Sequence, residues 1–500
     1  MLHIKNLDNV SELQGIFSNI ENAQNLLTKF YKNFFVCKKV QDLNQIKTKG
    51  DSPVDILLVL LIVPFIHFGT ISGLINSVYY NFFSSQKDVF YRFKNNSRID
   101  WRSLLYSINK RFVKIVKDEK HKSGCIDSDE KALTYLIADD TLLKKIGKSI
   151  ENVGMVFDHV SKKMVLGFKV LTLGFFDGKS FTPLDFSFHR EKGKNKKKPF
   201  GLRRKDLKNQ FKKQRDTSTP SAKRIKELDE SKIDVLINMV KRAVDNGFIP
   251  DFLLVDSWFI CEKLIVSIRK IKNGAIHIVG ACRMDRRKYV LDGKEYSAKE
   301  LLNKFKTTAK RCRSLNYKYI KLNVIYKDVE LVLFFNRVFG QKKWHLIITT
   351  NTKLNFKKTM EIYSKRWIIE VFFKESKQHL NAGKCQSNNF DAQICDFTIS
   401  CISYIMLSLF KRFDSYETIG GAFEGTKAFI IEQTVAERIW GMFLEILREL
   451  VKLLDIDVLE LMQKITSDDE KGAKILKILN ALNSTSKNDD FYEENQKNVA

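Results

Sequence analysis

The sequence predicts an α/β protein: a mixed sheet with a β-rich insertion, flanked by helical regions at both ends. Three observations carry that expectation. Near Lys131 the apolar spacing switches from helical to strand-like, and runs such as VGMVFDHV and KMVLGFKVLTLGFF follow one another. Two runs end in acids: ALTYLIADDT at 132–141 and FLLVDSWF at 252–259. Helix-length amphipathic stretches stand between and after them, the alternation from which mixed sheets are built.

At 500 residues, with 44% apolar side chains and six prolines, the chain is long enough for two or three domains with packed cores. A formal net charge of +28 points to a polyanionic partner, nucleic acid first. The eight cysteines are scattered without a Cys-x-x-Cys pair or His at zinc spacing, so reduced thiols and a cytoplasmic location are expected. The start, MLHIKNLDNVSELQG, lacks the apolar stretch of a signal peptide.

Residues 1 to about 46 read as amphipathic helix, closed by KTKGDSPVD, where Asp51 or Ser52 caps the next helix and Pro53 sits in its first turn. The run from Ile56 to Ile75 nears the ~20 residues of a membrane span. Pro64, His67, Gly69, Thr70, Ser72 and Gly73 crowd its second half, so it reads as a buried helix and no membrane partner is expected. A helix over 70–83, a short turn and the basic KDVFYRFKNNSRIDWR have the outline of a helix-turn-helix reader, with Lys87, Arg92, Lys94 and Asn95 as contacts. An ordinary helical hairpin has the same outline.

Asp177-Gly178 marks a hairpin turn within the strand-rich stretch. Arg190 to Lys226 then holds 16 lysines and arginines against Glu191, Asp206 and Asp216, so a net +13 of the +28 falls in 37 residues. Such runs are usually solvated loops. This one also suits DNA phosphates, through Lys194, Lys196, Lys197, Lys198, Arg203 and Arg204. A helix from Ser231 to Asn246 leads into the second acid-tipped strand, and a helix from Phe259 to Lys272 follows. Residues 275–350 alternate in short runs broken by Asp292-Gly293 and Gly340, as a β-rich insertion. FTISCISYIMLSLFKRF and the stretch 436–465 read as bundled helices, and the polar residues 484–500 as disordered.

The chemistry concentrates in EIYSKRWIIEVFFKESKQ at 361–378. At about 100° per residue, Tyr363, Arg366, Glu370 and Lys377 fall within an arc of roughly 60° on one helix. Taken alone, this can be a solvated face with an Arg366–Glu370 ion pair worth about 0.2–0.5 kcal/mol. Beside Asp139 or Asp140 on one strand and Asp256 on another, Glu370 becomes the third member of an acid set. Acids brought together repel one another unless cations bind. Two divalent ions about 3.5–4 Å apart would compensate them and support phosphoryl transfer.

With Tyr-x2-Arg-x3-Glu-x6-Lys met at every position, and with Asp-Asp-Thr after YLIA and Asp256 after FLLV, the sequence resembles DDE transposases of bacterial insertion sequences, in the IS-four-like group. The resemblance covers about 130 to 410. It implies an RNase H-like core of five mixed strands, with the insertion between the second Asp and the Glu. It implies that Asp139, Asp256 and Glu370 are catalytic and hold two Mg²⁺ ions, or Mn²⁺. The family pattern favours Asp139 as the first acid, with Asp140 as the alternate. Tyr363, Arg366 and Lys377 would bind phosphates, and Trp367 would be a platform for an extruded base, with Trp258 and Trp344 as weaker candidates.

The organisation then expected is a helical DNA-end-binding region at 1–130 and the first part of the catalytic core at 131–274, with the basic loop 190–226. The insertion at 275–350 follows, then the catalytic helix and end of the core at 351–411, C-terminal helices at 412–483 and a tail at 484–500. The implied partners are double-stranded DNA, both the terminal inverted repeats and the target, and a second copy of the chain in the synapse. The implied activity is metal-dependent cleavage and strand transfer in a prokaryotic cytoplasm. The alternatives are a non-catalytic DNA-binding derivative and a structure-selective nuclease of the same fold.

Overall fold

The run YLIADDTLLK forms one extended strand, β1 (Tyr135–Lys144), so its two acids sit in mid-strand and not at its end. The strand continues because Leu142 and Leu143 keep their pairing with the next long strand. After β1 come β2 (Gly154–Asp158), β3 (Lys163–Phe176) and β4 (Phe181–His189). β3 runs antiparallel to β1 along one edge, and its other edge is shared between β2 and β4. Gly167 of β3 lies so close to β1 that a Cβ there would stand 2.3 Å from the Leu143 carbonyl oxygen, which leaves room for glycine alone.

β5 (Phe252–Val255), buried throughout, is parallel to β1 in the register Tyr135↔Phe252 to Ala138↔Val255. That register makes Asp139 and Asp256 the next residues along two adjacent strands. β6 (His277–Cys282) is parallel to β5 in turn. The order β4-β3-β1-β5-β6, three antiparallel strands followed by two parallel ones, is the RNase H-like arrangement.

The insertion supplies β7 (Lys288–Leu291), β8 (Lys294–Ser297), β9 (Lys310–Cys312), β10 (Tyr317–Tyr326) and β11 (Val329–Val338), and β12 (His345–Thr349) returns beside β6. These strands extend the core sheet, so the result is one sheet of 12 strands where the family resemblance implied five in the core. The Asp292-Gly293 turn has both residues at positive φ, 50° and 74°, the conformation a two-residue hairpin demands.

The structure, a computed structural model, describes residues 34, 37–46, 49–65, 70–75, 86–122, 132–385, 387–413, 417–425 and 427, all within the unit Phe30–Lys427. The helices expected over most of 1–46 and at 436–465, and the tail at 484–500, lie outside these residues. The labelled helices are α1 (Pro53–Ile62), α2 (Lys87–Lys94), α3 (Trp101–Lys122), α4 (Pro220–Glu227), α5 (Lys232–Asp245), α6 (Glu262–Lys270), α7 (Ala298–Phe305), α8 (Phe356–Ser364), α9 (Trp367–His379) and α10 (Phe390–Phe413). Ser52 caps α1 with Pro53 in the first turn, and Ser231 caps α5.

The apolar run 56–75 is not one helix. α1 stops at Ile62, a tighter turn spans Val63–Phe65 at Pro64, and a new helical turn begins at Ile71. Among the described residues the helix long and apolar enough to cross a membrane is α10, and it is almost wholly buried inside the fold, with Phe390 and Phe397 packed on Phe188 of β4. Lys94, expected as a surface contact at the end of α2, is buried against Asp396 of α10 at 2.7 Å.

The basic segment 190–226 divides in two. Lys192, Lys194, Lys196, Lys197, Lys198, Arg203, Arg204, Lys205 and Lys208 are all exposed. Its second half turns inward: Arg215 pairs with Glu151 at 2.6 Å and Asp391 at 3.1 Å, and Lys213 pairs with Asp391 at 2.7 Å. Arg224 joins Arg102 of α3 and Arg242 of α5 around the fully buried Asp185. Burial works to raise that carboxyl, but the three guanidiniums, Arg102 foremost, outweigh it and hold it at about 2.

Candidate functional site

The stretch 361–378 folds as two helices with a corner between them, not as one. Lys365 and Arg366 bond back three residues, to Ile362 and Tyr363, which tightens the chain where an α-helix would bond back four. Tyr363 therefore lies in the last turn of α8, Arg366 occupies the corner, and Glu370 and Lys377 ride on α9. The guanidinium still lies 5.9 Å from the Tyr363 ring centre, so the corner keeps the two side chains together.

From that corner Arg366 reaches across to β1. Its Nη1 donates to Asp139 Oδ2 at 2.9 Å and its Nη2 to Glu370 Oε1 at 2.6 Å. One guanidinium thus joins two carboxylates separated by 231 positions in sequence. Asp139 Oδ1 also accepts the Asp140 backbone N–H at 2.8 Å, and Asp256 accepts the N–H of Ser257. Burial pushes the Asp139 carboxyl up to about 7; the Asp140 N–H and Arg366 pull it down, and the charges of Asp140 and Asp256 push it further up. The Tyr363 phenol is raised chiefly by burial.

Asp140 has other partners. Its Oδ2 accepts from Lys232 Nζ at 2.5 Å, and Lys169 stands 3.8 Å from Oδ1. Neighbouring strand residues face opposite ways, which is why one acid meets Arg366 and the next meets lysines. Lys377 donates to Thr141 Oγ1 at 2.7 Å, and its ammonium is held below the usual range by burial and by the charges of Lys144 and Lys169. Asp139, Asp140, Asp256, His159, Trp258 and Lys377 line one open cavity of about 1040 Å³.

The tryptophans separate by exposure. Trp367 is 61% exposed and Trp258 46%, with Lys232 Nζ 5.2 Å from the Trp258 ring centre. Trp344 packs against the core under Arg337. Lys194, Lys196, Lys197, Lys198, Arg203 and Arg204 are exposed on the loop after β4. Lys169, Lys232 and Thr141 were not singled out from the sequence. Thr141 closes the Asp-Asp-Thr triplet and is marked by it, whereas nothing in the sequence marks Lys169 or Lys232 as partners of Asp140.

Among the described residues no three His, Cys, Asp or Glu side chains lie close enough to hold a metal ion. The donor set nevertheless fits a hard divalent cation in kind. Two carboxylates stand on adjacent parallel strands, and Asp139 bears the anionic pressure of Asp140 and Asp256 that a cation relieves. Arg366 supplies the compensating charge between Asp139 and Glu370.

Residues 221–406 match the family model for the transposase DDE domain. Over that span the chain is similar to the transposase DDE domain. A comparison with curated proteins returns no match. The matched span of the DDE domain holds Asp256, Tyr363, Arg366, Glu370 and Lys377, and Asp139 lies before it. For a DDE transposase, DNA is the substrate class, polynucleotidyl transfer the reaction class, and divalent-metal dependence the general rule.

Proposed function

We propose that this chain binds the ends of an insertion sequence and cuts and joins DNA there, as a dimer in the synapse, in cut-and-paste transposition. The observations that support the proposal are that Asp139 and Asp256 follow one another across two adjacent parallel strands and that Arg366 ties Asp139 to Glu370. Convergence of like charges from distant parts of a chain is costly and is expected where a function requires it.

In this reading Asp139, Asp256 and Glu370 would hold two Mg²⁺ or Mn²⁺ ions, and Asp140 stays with its lysines. Bound metal supplies an activated water or 3′-hydroxyl and a stabilised leaving oxygen. The chain's own residues do the positioning. Arg366 and Lys377 offer cations to the phosphodiester, and the phenol of Tyr363 is a neutral donor because burial keeps its proton in place. The exposed indole of Trp367 is free to stack on a base. The cations from Lys192 to Lys208 neutralise the phosphates of the duplex beyond the cavity.

The test uses linear DNA carrying the element's own ends, with Mg²⁺ or EDTA, and compares wild type with Asp139→Asn, Asp140→Asn, Asp256→Asn and Glu370→Gln. Metal-dependent nicks at the ends are expected, lost in all variants except Asp140→Asn. Binding without any cut, unaltered by the four substitutions, would return the chain to a DNA-binding role.

A further inference from the structure

The far end of the insertion carries a feature that the acid site does not use. In the β9–β10 register Arg311 stands opposite Lys318, and in the β10–β11 register Lys318 stands opposite Arg337. Three cations therefore form one row across three strands. Directly opposed residues share a face, and like charges in that position destabilise a sheet.

The contacts of these residues are with rings and a carbonyl: Arg311 lies 3.9 Å from the Phe339 ring centre and Lys318 Nζ 5.5 Å from it. Arg337 lies 5.0 Å from Trp344, and its Nη1 donates to the Gln341 carbonyl at 2.6 Å. Its buried Nε lacks a hydrogen-bond partner. Among the described residues no acid pairs with any of the three. Lys310, Arg313, Lys342 and Lys343 flank the row, all exposed, and the sequence from 301 to 327 contains no acid. Phe339, 39% exposed, stands beside the row as an aromatic surface.

A row of unpaired cations held rigid by strand pairing fits a regular polyanion. We propose that the β9–β10–β11 end of the insertion is a second, sequence-independent contact for duplex DNA, made through Arg311, Lys318 and Arg337. It rests on the reading that the chain acts on DNA. Four strand spacings separate β5 from β10, about 20 Å at the usual spacing, so the row lies beyond the acid cavity on the same sheet. A regular row of cations matches the repeating charge of the phosphate backbone, whose contacts carry no sequence information.

The experiment measures binding of a random-sequence duplex across a salt series by the full chain. The variants are Arg311→Gln/Lys318→Gln/Arg337→Gln, and Arg311→Gln/Lys318→Gln, which keeps the Arg337–Gln341 bond. A third variant neutralises Lys194, Lys196, Lys197 and Lys198. The slope of log affinity against log salt is expected to fall by roughly 2.7 in the triple variant and by about 1.8 in the double variant. Relief of the repulsion keeps the melting temperature of both at or above wild type. An unchanged slope in both folded strip variants overturns the inference, and a loss in the loop variant at the same time leaves the DNA reading standing. Absence of duplex binding by wild type removes both. A strip variant that keeps its duplex slope but loses binding to polyglutamate overturns the inference in favour of an acidic protein partner.

Discussion

Replacing Arg366 by Gln removes the cation shared by Asp139 and Glu370, and its cost depends on pH in a way the structure specifies. The Asp139 carboxyl titrates at about 7 in the fold against 3.8 for the free group, and its side chain is 18% exposed. Between those values the native state holds a proton that the unfolded chain lacks. Its contribution to stability is complete below pH 3.8 and lost as pH rises through about 7. Ionising it in the fold costs roughly 4 kcal/mol at 1.36 kcal/mol per pH unit. Arg366 lowers that cost, so its loss is felt where Asp139 is ionised.

Breaking a fully buried pair costs about 3–5 kcal/mol. Glu370 is a third exposed and Asp139 can take up a proton, which reduces the expected loss to about 2 kcal/mol at pH 8 and below ~1 kcal/mol at pH 5. Thermal unfolding at the two pH values, with EDTA or millimolar Mg²⁺, measures it. Mg²⁺ should return part of the stability lost at pH 8. An equal loss at both pH values, indifferent to Mg²⁺, would refute the view that Arg366 compensates an acid site.

Four further outcomes follow from the same geometry. Neutralising Lys194, Lys196, Lys197 and Lys198 should lower the salt slope of DNA binding by about 3–4 while leaving the melting temperature unchanged, because all four are exposed. Arg215→Gln should cost about 3–5 kcal/mol in urea unfolding, since it strands Glu151 without its cation and leaves Asp391 to Lys213. Arg203→Gln on the same segment should stay within about 0.5 kcal/mol. The Asp185 carboxyl, held at about 2 by Arg102, Arg242 and Arg224 against its burial, contributes stability present above pH 3.8 and lost as pH falls through about 2. Asp185→Asn should therefore flatten the acid limb of a stability–pH curve.

Local chemistry made much of the fold legible. The turns at Asp177-Gly178 and Asp292-Gly293, the cap at Ser52, the helix start at Ser231, and the buried strand before Asp256 each depend on residues a few positions apart. Long-range partners were not legible. Arg215 reads as one more solvated cation until Asp391, 176 positions away, is folded against it. Lys94 needed Asp396, 302 positions on, to become a core residue. The helical periodicity of 361–378 was real, yet a change from four-residue to three-residue bonding at Lys365 and Arg366 broke it, and no Gly or Pro marked the place. The pairing of Asp139 with Arg366, and of Asp140 with Lys232 and Lys169, follows from which face of β1 each acid takes; sequence spacing predicts that they differ but not which is which.

The segment between β6 and β12 leaves the core at Cys282 and comes back at Leu346, which is the partner of Cys282 in the antiparallel pair. Its two ends are therefore one strand spacing apart, about 5 Å. A cassette mounted on so narrow a stem can be exchanged for another without moving either end of the chain that carries Asp256 or Glu370. What the host sheet asks of any replacement is a strand beside β12, where β11 now pairs from Val332 to Asn336. Variation of the insertion has, at that stem, a place to act that leaves the acids where they are.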